Sequence, residues 1–493
     1  MKWVLALAIA AQLGAQTMPQ AKTGVRVRVG STTVTMPLER YVAGVMAGES
    51  SVFRSDEALK AMAVAARTYA VRLRGRHSAE GFDFCATTHC QRVEPDAITP
   101  RLEAIAAETA GELLWFEGKP AFTPYTRDCG GRTEDGAAVW PDVAAPYLKS
   151  REDPHGASAW QWSGDPARVA EALRRSQLRT PRRVERISIS ERTESGRART
   201  LVLFGEGESV RISAGSFRFA VGRELGWNTV ESDRYEIRSG TVFEGRGSGH
   251  GVGLCQRGAD QMGQAGRTYR EILAYYYPGT THGLTGRGLS WQRLGGDMVS
   301  LLSTRPDRDR GVLAVADRAA RSVCARTNLS LPRNVEIRVY PDVETFRNAT
   351  GEPGWVAAYT VGRRIHLQPA TLLQSRGAQE QTLRHELLHV LVEAQAAPGL
   401  PLWFREGLVE YLGWARGAAG GAGGASNSGV PSDSALRQTT DEARARRAYA
   451  DAAGAVAALV KRHGETVVLE WLKTGLPADV KKASSSQDAT KSK

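Results

Sequence analysis

The chain has little cysteine, no long apolar run in its body and no dense block of basic residues. Five cysteines in 493 residues exclude a small scaffold stapled by disulfides, and an odd number leaves at least one outside any internal set. Beyond the first few residues no stretch is long and apolar enough to make a spanning helix, so no stable membrane insertion is expected. Lysine is scarce beside arginine, and no Lys/Arg run is interleaved with aromatics, so the usual mark of a nucleic-acid groove is missing. There is no internal repeat, which excludes a solenoid. What remains is the composition of a globular protein, 42% hydrophobic and 24% charged. The net charge of +12 suits an anionic polymer or a membrane surface. At this length two or three domains are expected.

Residues 1–15 read as a secretory signal. Lys2 supplies the positive start, Trp3 to Ala11 the apolar core, and Leu13-Gly14-Ala15 a small-residue cleavage site. The expected location is therefore secreted or periplasmic, where disulfides are permitted.

The pattern along the chain predicts an α+β protein of two domains. Alternation at Val25, Val27, Val29 and Val34 predicts strand, and Leu38 to Arg74 predicts helix with one break, restarted by a cap at Ser55 or Asp56. Strand-like runs follow at Ile187–Ser190, Thr200–Phe204 and Glu208–Ile212. Pro278-Gly279 stops a helix over Tyr269–Tyr277, and the first domain is read as 24–283. Glycines in 284–298 predict a linker. The second domain, 299–478, predicts a helix over Asp309–Thr327, a strand over Val335–Tyr340 and a hairpin around Val361-Gly362-Arg363. It continues with a helix over Gln379–Ala394 and further helices over 441–474. Gly417 to Ser434 reads as a flexible loop, and 479–493 as a disordered tail.

The sharpest chemical signal is His385-Glu386-Leu387-Leu388-His389, followed by Trp403-Phe404-Arg405-Glu406-Gly407. Histidines four apart on a helix share a face and can hold one Zn²⁺, and Glu386 is placed to take a proton from an attacking water. Glu406 is the expected third ligand and Glu410 a carboxylate placed to orient a ligating histidine; no oxyanion donor is identified, Tyr411 being one candidate. This half resembles the gluzincin-type metallopeptidases, and the resemblance implies a zinc site that cuts peptide laid along a sheet edge, here assigned to Arg364–Gln368. Zinc binding without proteolysis stays open as an alternative.

A second metal candidate is His77, Cys85, His89 and Cys90, four soft or borderline ligands close in sequence. A Cys85–Cys90 disulfide or two thiols are the alternatives. Either way the group would pin the loop after the first helices.

In the first half, Glu49 ends Gly44-Val45-Met46-Ala47-Gly48-Glu49, and Lys60 and Arg67 lie two turns apart on an alanine-rich helix. Further on come Phe82-Asp83-Phe84-Cys85, Cys129-Gly130-Gly131-Arg132-Thr133 and Gly247-Ser248-Gly249-His250-Gly251-Val252-Gly253-Leu254-Cys255-Gln256-Arg257-Gly258-Ala259. In this order the strings resemble the stage II sporulation protein D family of peptidoglycan lytic transglycosylases, which includes amidase enhancers. Cys255 and Arg257 depart from the Ser and Trp expected there. The resemblance implies cleavage of the β-1,4 bond between N-acetylmuramic acid and N-acetylglucosamine with a 1,6-anhydro product. Glu49 is implied as catalytic acid, and Lys60, Arg67, His250 and Gln256 as substrate-binding. One carboxyl suffices because the sugar's own 6-hydroxyl is the nucleophile. Glycan strands are the implied partner, with wall peptides or an amidase as further ones. The alternative is a non-catalytic enhancer that binds glycan and targets the zinc domain to the wall.

Overall fold

The computed structural model describes residues 24–155, 157–413, 430–436 and 442–480. The expected signal segment, most of the Gly417–Ser434 loop and all of the tail after Val480 lie outside them. The architecture is α+β, with helices and several small sheets. The chain divides into two compact units, one covering Val25–Leu289 and the other continuing from Ser290.

The first unit is organised around the Asp56–Arg72 helix. Every residue from Ala58 to Ala70 except Lys60 is buried, and a helix apolar on all sides belongs in a core. Its alanines let the Leu38–Glu49 helix and the Pro100–Glu108 helix pack closely against it. Ser55 caps it, accepting from the Ala58 amide. The strands Val25–Val29 and Thr32–Met36 form an antiparallel hairpin, and Phe84–Cys85 adds in parallel to the first of them. Between 159 and 246 the chain builds two three-stranded sheets. They close with the Pro166–Arg175 and Ala214–Leu225 helices over a separate core containing Val169, Leu173, Leu201, Leu203, Phe217 and Phe243. The chain then returns to the main core through the short strand Leu254–Cys255, parallel to Tyr125–Thr126. Gly253 makes that return possible: its φ is +74°, and a Cβ there would collide with the Pro124 carbonyl.

The second unit has one five-stranded mixed sheet. Its order is Gln292–Gly295, Ser300–Ser303, Glu336–Val339, Arg364–Leu367, Ala358–Val361. Two expectations change here. The segment read as a linker contributes the first edge strand, because Arg293 and Leu294 pair with Leu302 and Leu301 in regular antiparallel register. Arg364–Leu367 lies inside the sheet, hydrogen-bonded on both sides, so the free edge on that side is Ala358–Val361. The Pro306–Thr327 and Gln379–Gln395 helices pack together, and the Leu402–Gly413 helix lies against Glu442–His463. Gly407 sits at that last crossing, where a Cβ would strike the Ala452 carbonyl oxygen.

Candidate functional site

Glu49 is the last residue of the Leu38–Glu49 helix. The Gln256 amide, on the first residue of the Gln256–Gln264 helix, donates to Glu49 Oε2 at 3.1 Å. Burial pushes the Glu49 carboxyl above its ordinary range. The Gln256 hydrogen bond and the charges of Arg92 and Arg127 oppose the rise, while Glu94 adds to it. Behind it, Tyr41 donates to Gln91 Oε1 at 2.9 Å, and Gln91 Nε2 donates to Tyr125 at 3.2 Å. The result is a carboxyl whose protonated form burial favours, held by a neutral amide, an arrangement suited to general acid work.

The other expected contacts are placed differently. Arg67 is fully buried, at 0% exposure. Its guanidinium is bonded to the Glu39 carboxylate, to the Ala106 and Glu112 carbonyls and to Thr109. It ties three segments together and is out of reach of any substrate, which corrects the substrate-binding assignment. Lys60 is half-buried between Glu57 at 2.9 Å and Glu108 at 2.7 Å, so its charge is already neutralised. Arg92 and Arg127, both exposed, are the cations that act on Glu49. Nothing in sequence spacing marks Arg92; Arg127 could have been found, since it directly follows the Tyr125-Thr126 strand. His250 is half-buried. Its Nδ1 accepts from the Val252 amide at 3.0 Å, its ring bonds to the Tyr125 backbone, and Trp140 meets it edge-on at 4.9 Å. Burial, with Arg218 and Arg197 nearby, lowers its pKa to about 3, so the ring is neutral and fixes the glycine-rich loop.

His77, Cys85, His89 and Cys90 come together, their ligand atoms all within 4.8 Å of one another. Cys90 Sγ lies 3.3 Å from His77 Nε2 and 3.7 Å from His89 Nδ1, and Cys85 Sγ lies 3.7 Å from His89 Nδ1. A tetrahedral Zn²⁺ with ordinary bond lengths has ligand–ligand edges of about 3.3–3.8 Å. The other nitrogen of His77 faces Glu80, the carboxylate arrangement that orients metal-bound histidines. Burial opposes ionisation of Cys85, but hydrogen bonds from Thr87, His89 and Cys90 prevail and bring its pKa down to about 6. The donor set therefore fits zinc.

In the second unit His385 and His389 face each other, Nε2 to Nε2 at 3.1 Å, on the Gln379–Gln395 helix. Glu406 Oε2 is 3.8 Å from His389 Nε2, and Glu410 Oε1 is 3.9 Å from His385 Nδ1. Thr360, on the edge strand, donates to Glu386 Oε2 at 2.6 Å. Burial and the neighbouring Glu393 and Glu410 push Glu406 up to about 7, against the pull of His385 and Arg405. Burial and Glu386 push Glu352 up to about 7 as well. Two imidazoles with the half-buried Glu406 carboxylate are donor types that suit zinc, and these three residues would hold it. Tyr411 does not serve this site: its hydroxyl donates to Glu465 at 3.1 Å. Tyr449, from the Glu442–His463 helix, lies instead in the field of Glu406, Glu410, Glu352 and Glu386. Its position depends on tertiary packing across Gly407, which no local motif displays.

Comparison with known proteins follows the same division. Residues 30–116 match the family model described as stage II sporulation protein. Residues 334–397 match the eCIS core domain, a span that holds His385 and His389 but ends before Glu406. An uncharacterized protein of Brachyspira hyodysenteriae is 32% identical over 256 residues, covering 49% of this chain and 65% of its own length. Stage II sporulation protein D of Bacillus subtilis is 28% identical over 292 residues, 55% of this chain and 82% of that protein. The amidase enhancer of Bacillus subtilis is 27% identical over 287 residues, 48% of this chain and 39% of that protein. The chain thus spans less than two thirds of the first and third of these relatives. The chain is thus similar to stage II sporulation protein D and to the amidase enhancer, and the matched family model lies within the first unit.

Proposed function

We propose that the chain is a secreted or periplasmic cell-wall protein whose first unit cleaves peptidoglycan glycan strands. The observation that carries this reading is the half-buried Glu49 carboxyl, raised in pKa and held by Gln256. Glu49 donates its proton to the glycosidic oxygen as that bond to the muramic C1 breaks. The 6-hydroxyl of the same sugar attacks C1, and the Glu49 carboxylate takes its proton, which restores the acid and leaves a 1,6-anhydro end. Arg127 supplies the positive charge for the muramic carboxylate, in place of Lys60 and Arg67; Arg92 is paired with Glu94. His77, Cys85, His89 and Cys90 hold a structural zinc that fixes the loop beyond the catalytic helices.

The second unit is proposed as a zinc metallopeptidase domain, with His385, His389 and Glu406 as ligands. Zinc in that position would polarise a peptide carbonyl and acidify water. Glu386, oriented by Thr360, receives the proton, and the Ala358–Val361 edge offers its free backbone groups to an extended peptide.

The amidase enhancer among the relatives favours a second reading, in which the first unit binds glycan and activates an amidase without cutting. Purified glycan strands incubated with the full chain, then analysed by mass spectrometry, decide between them. New 1,6-anhydro ends that vanish in Glu49→Gln support catalysis. Strand binding with no new ends, together with faster release of stem peptide by an added amidase, supports the enhancer.

A further inference from the structure

Three of the five cysteines lie outside the His77 group, and two of those meet. Cys129 and Cys255 are both completely buried. The Cys129 amide donates to Cys255 Sγ at 3.2 Å, although the residues are 126 apart in sequence. Their sulfurs lie within 4.8 Å of each other. A disulfide requires about 2.05 Å, a gap that rotation of side chains about χ1 can close without moving the backbone far. Cys129 Sγ now points to Asp153 Oδ2 at 3.2 Å, and Cys255 Sγ accepts from the Gly258 amide at 3.4 Å, as the cap of the Gln256–Gln264 helix.

Two carboxylates, Asp153 and Asp128, lie beside this pair, and Asp153 already accepts from the Tyr276 hydroxyl and the His155 amide. The oxygens of Asp128 are engaged as well. Oδ1 accepts from the Gly130 amide, and Oδ2 from the Ser158 amide and hydroxyl, with Arg257 at 3.4 Å. A carboxylate so committed is a poor metal ligand, whereas two facing thiols need no third partner to form a bond.

We propose that Cys129 and Cys255 are joined by a disulfide as the first unit folds, a bond that clamps the Cys129–Arg132 loop to the head of the helix carrying Gln256. The oxidant is a disulfide of the small-molecule or dithiol-protein class. One cysteine thiolate attacks it and releases a thiol; the other cysteine attacks the mixed disulfide at the protein sulfur and releases the second. Two S–H bonds and one S–S bond become one S–S bond and two S–H bonds, with two electrons passing to the oxidant's sulfurs. Burial and the adjacent Cys129 hold the Cys255 thiol well above its ordinary pKa. A thiol so placed is unreactive once packed, so oxidation precedes burial. The inference does not depend on the reaction Glu49 performs.

The test uses the full chain made in an oxidising compartment, unfolded in guanidinium with N-ethylmaleimide and no reductant, then digested. The expected product is the Cys129 peptide linked to the Cys255 peptide. Its loss in Cys255→Ser, where the serine hydroxyl can still cap the helix, and its survival in Cys324→Ser identify the pair. The oxidised protein should melt about 5–15 °C above the same chain made in a reducing cytoplasm, the shift expected of a bond closing so long a loop. Cysteines 129 and 255 both recovered with maleimide would overturn the proposal. So would a cross-link to Cys85, Cys90 or Cys324, or loss of one bound zinc in Cys255→Ser.

Discussion

Gln256 reaches Glu49 across 207 residues of sequence, and its amide is the direct side-chain donor to that carboxylate. The contact joins the end of one helix to the start of another, so the acid's protonation depends on how the glycine-rich segment is folded. Glu49→Gln should lower glycan cleavage by about 10²–10⁴-fold, the usual worth of a general acid, with an unchanged circular dichroism spectrum. Wild-type release of 1,6-anhydro ends by this variant would remove Glu49 from the mechanism.

The same hydrogen bond sets the pH profile. Burial raises the Glu49 pKa and Gln256 pulls it down by bonding the ionised form. Cleavage needs the protonated acid at the start, so activity declines as pH rises through the folded-state pKa. Gln256→Ala removes a brake on the upward shift. Its alkaline limb should move to higher pH while the maximal rate falls, which a rate profile from pH 4 to 9 measures. A limb that stays in place means Gln256 does not act through the carboxyl.

Stability should show the reverse face of this. The unfolded Glu49 ionises near the ordinary value of about 4.3, the folded one higher. Between these values the native state binds the extra proton, so this group's contribution to stability falls as pH rises. Glu49→Gln should therefore match the wild type in melting temperature below pH 4 and exceed it at pH 8. Equal melting temperatures at both pH values would show that the carboxyl is not desolvated.

Arg67 tests the boundary between structure and substrate. Arg67→Ala strips the partner from Glu39 and leaves buried carbonyls unsatisfied, a change worth about 3–5 kcal/mol of stability. Lys60→Ala, already neutralised by two glutamates, should leave the KM for glycan unchanged, whereas Arg127→Ala should raise it. Chemical denaturation and steady-state kinetics read the two effects separately.

What the sequence displays and what it hides follow from range. The His385–His389 pair and the His77–Cys90 group depend on spacings within a helix or a short loop, so their composition is legible directly, whereas Glu49 is singled out only by the resemblance to the sporulation protein family. The i, i+7 spacing of Lys60 and Arg67 shows a shared face, but not that alanines on every side bury part of that helix's charge. Tyr411 and Tyr449 illustrate the same limit. Both are tyrosines on helices, and only the close crossing at Gly407 decides which one approaches the glutamates. The segment read as a linker also holds the strand Gln292–Gly295, which its glycine content masks and whose pairing partner, Ser300–Ser303, supplies the order.

The last prediction concerns zinc and the independence of the two chemistries. Each unit has its own buried core: Val42, Met62, Phe84 and Tyr277 belong to one, and Leu301, Ile337, Leu387 and Phe404 to the other. Each candidate metal group is complete within its own unit, so two zinc ions per chain are expected. His385→Ala should lower the content by one, and Cys90→Ser by one, measured by elemental analysis. Glu80→Gln, which leaves every ligand in place but removes the carboxylate facing His77, should weaken the first site about 10–100-fold. Glu386→Gln should keep both ions, because that residue is bonded to Thr360 and is not a ligand. It should abolish chelator-sensitive peptide cleavage and leave glycan release at the wild-type rate. If Glu386→Gln stops glycan release in a folded protein with full zinc, the two chemistries are one. Two separate activities would then be the wrong description of this chain.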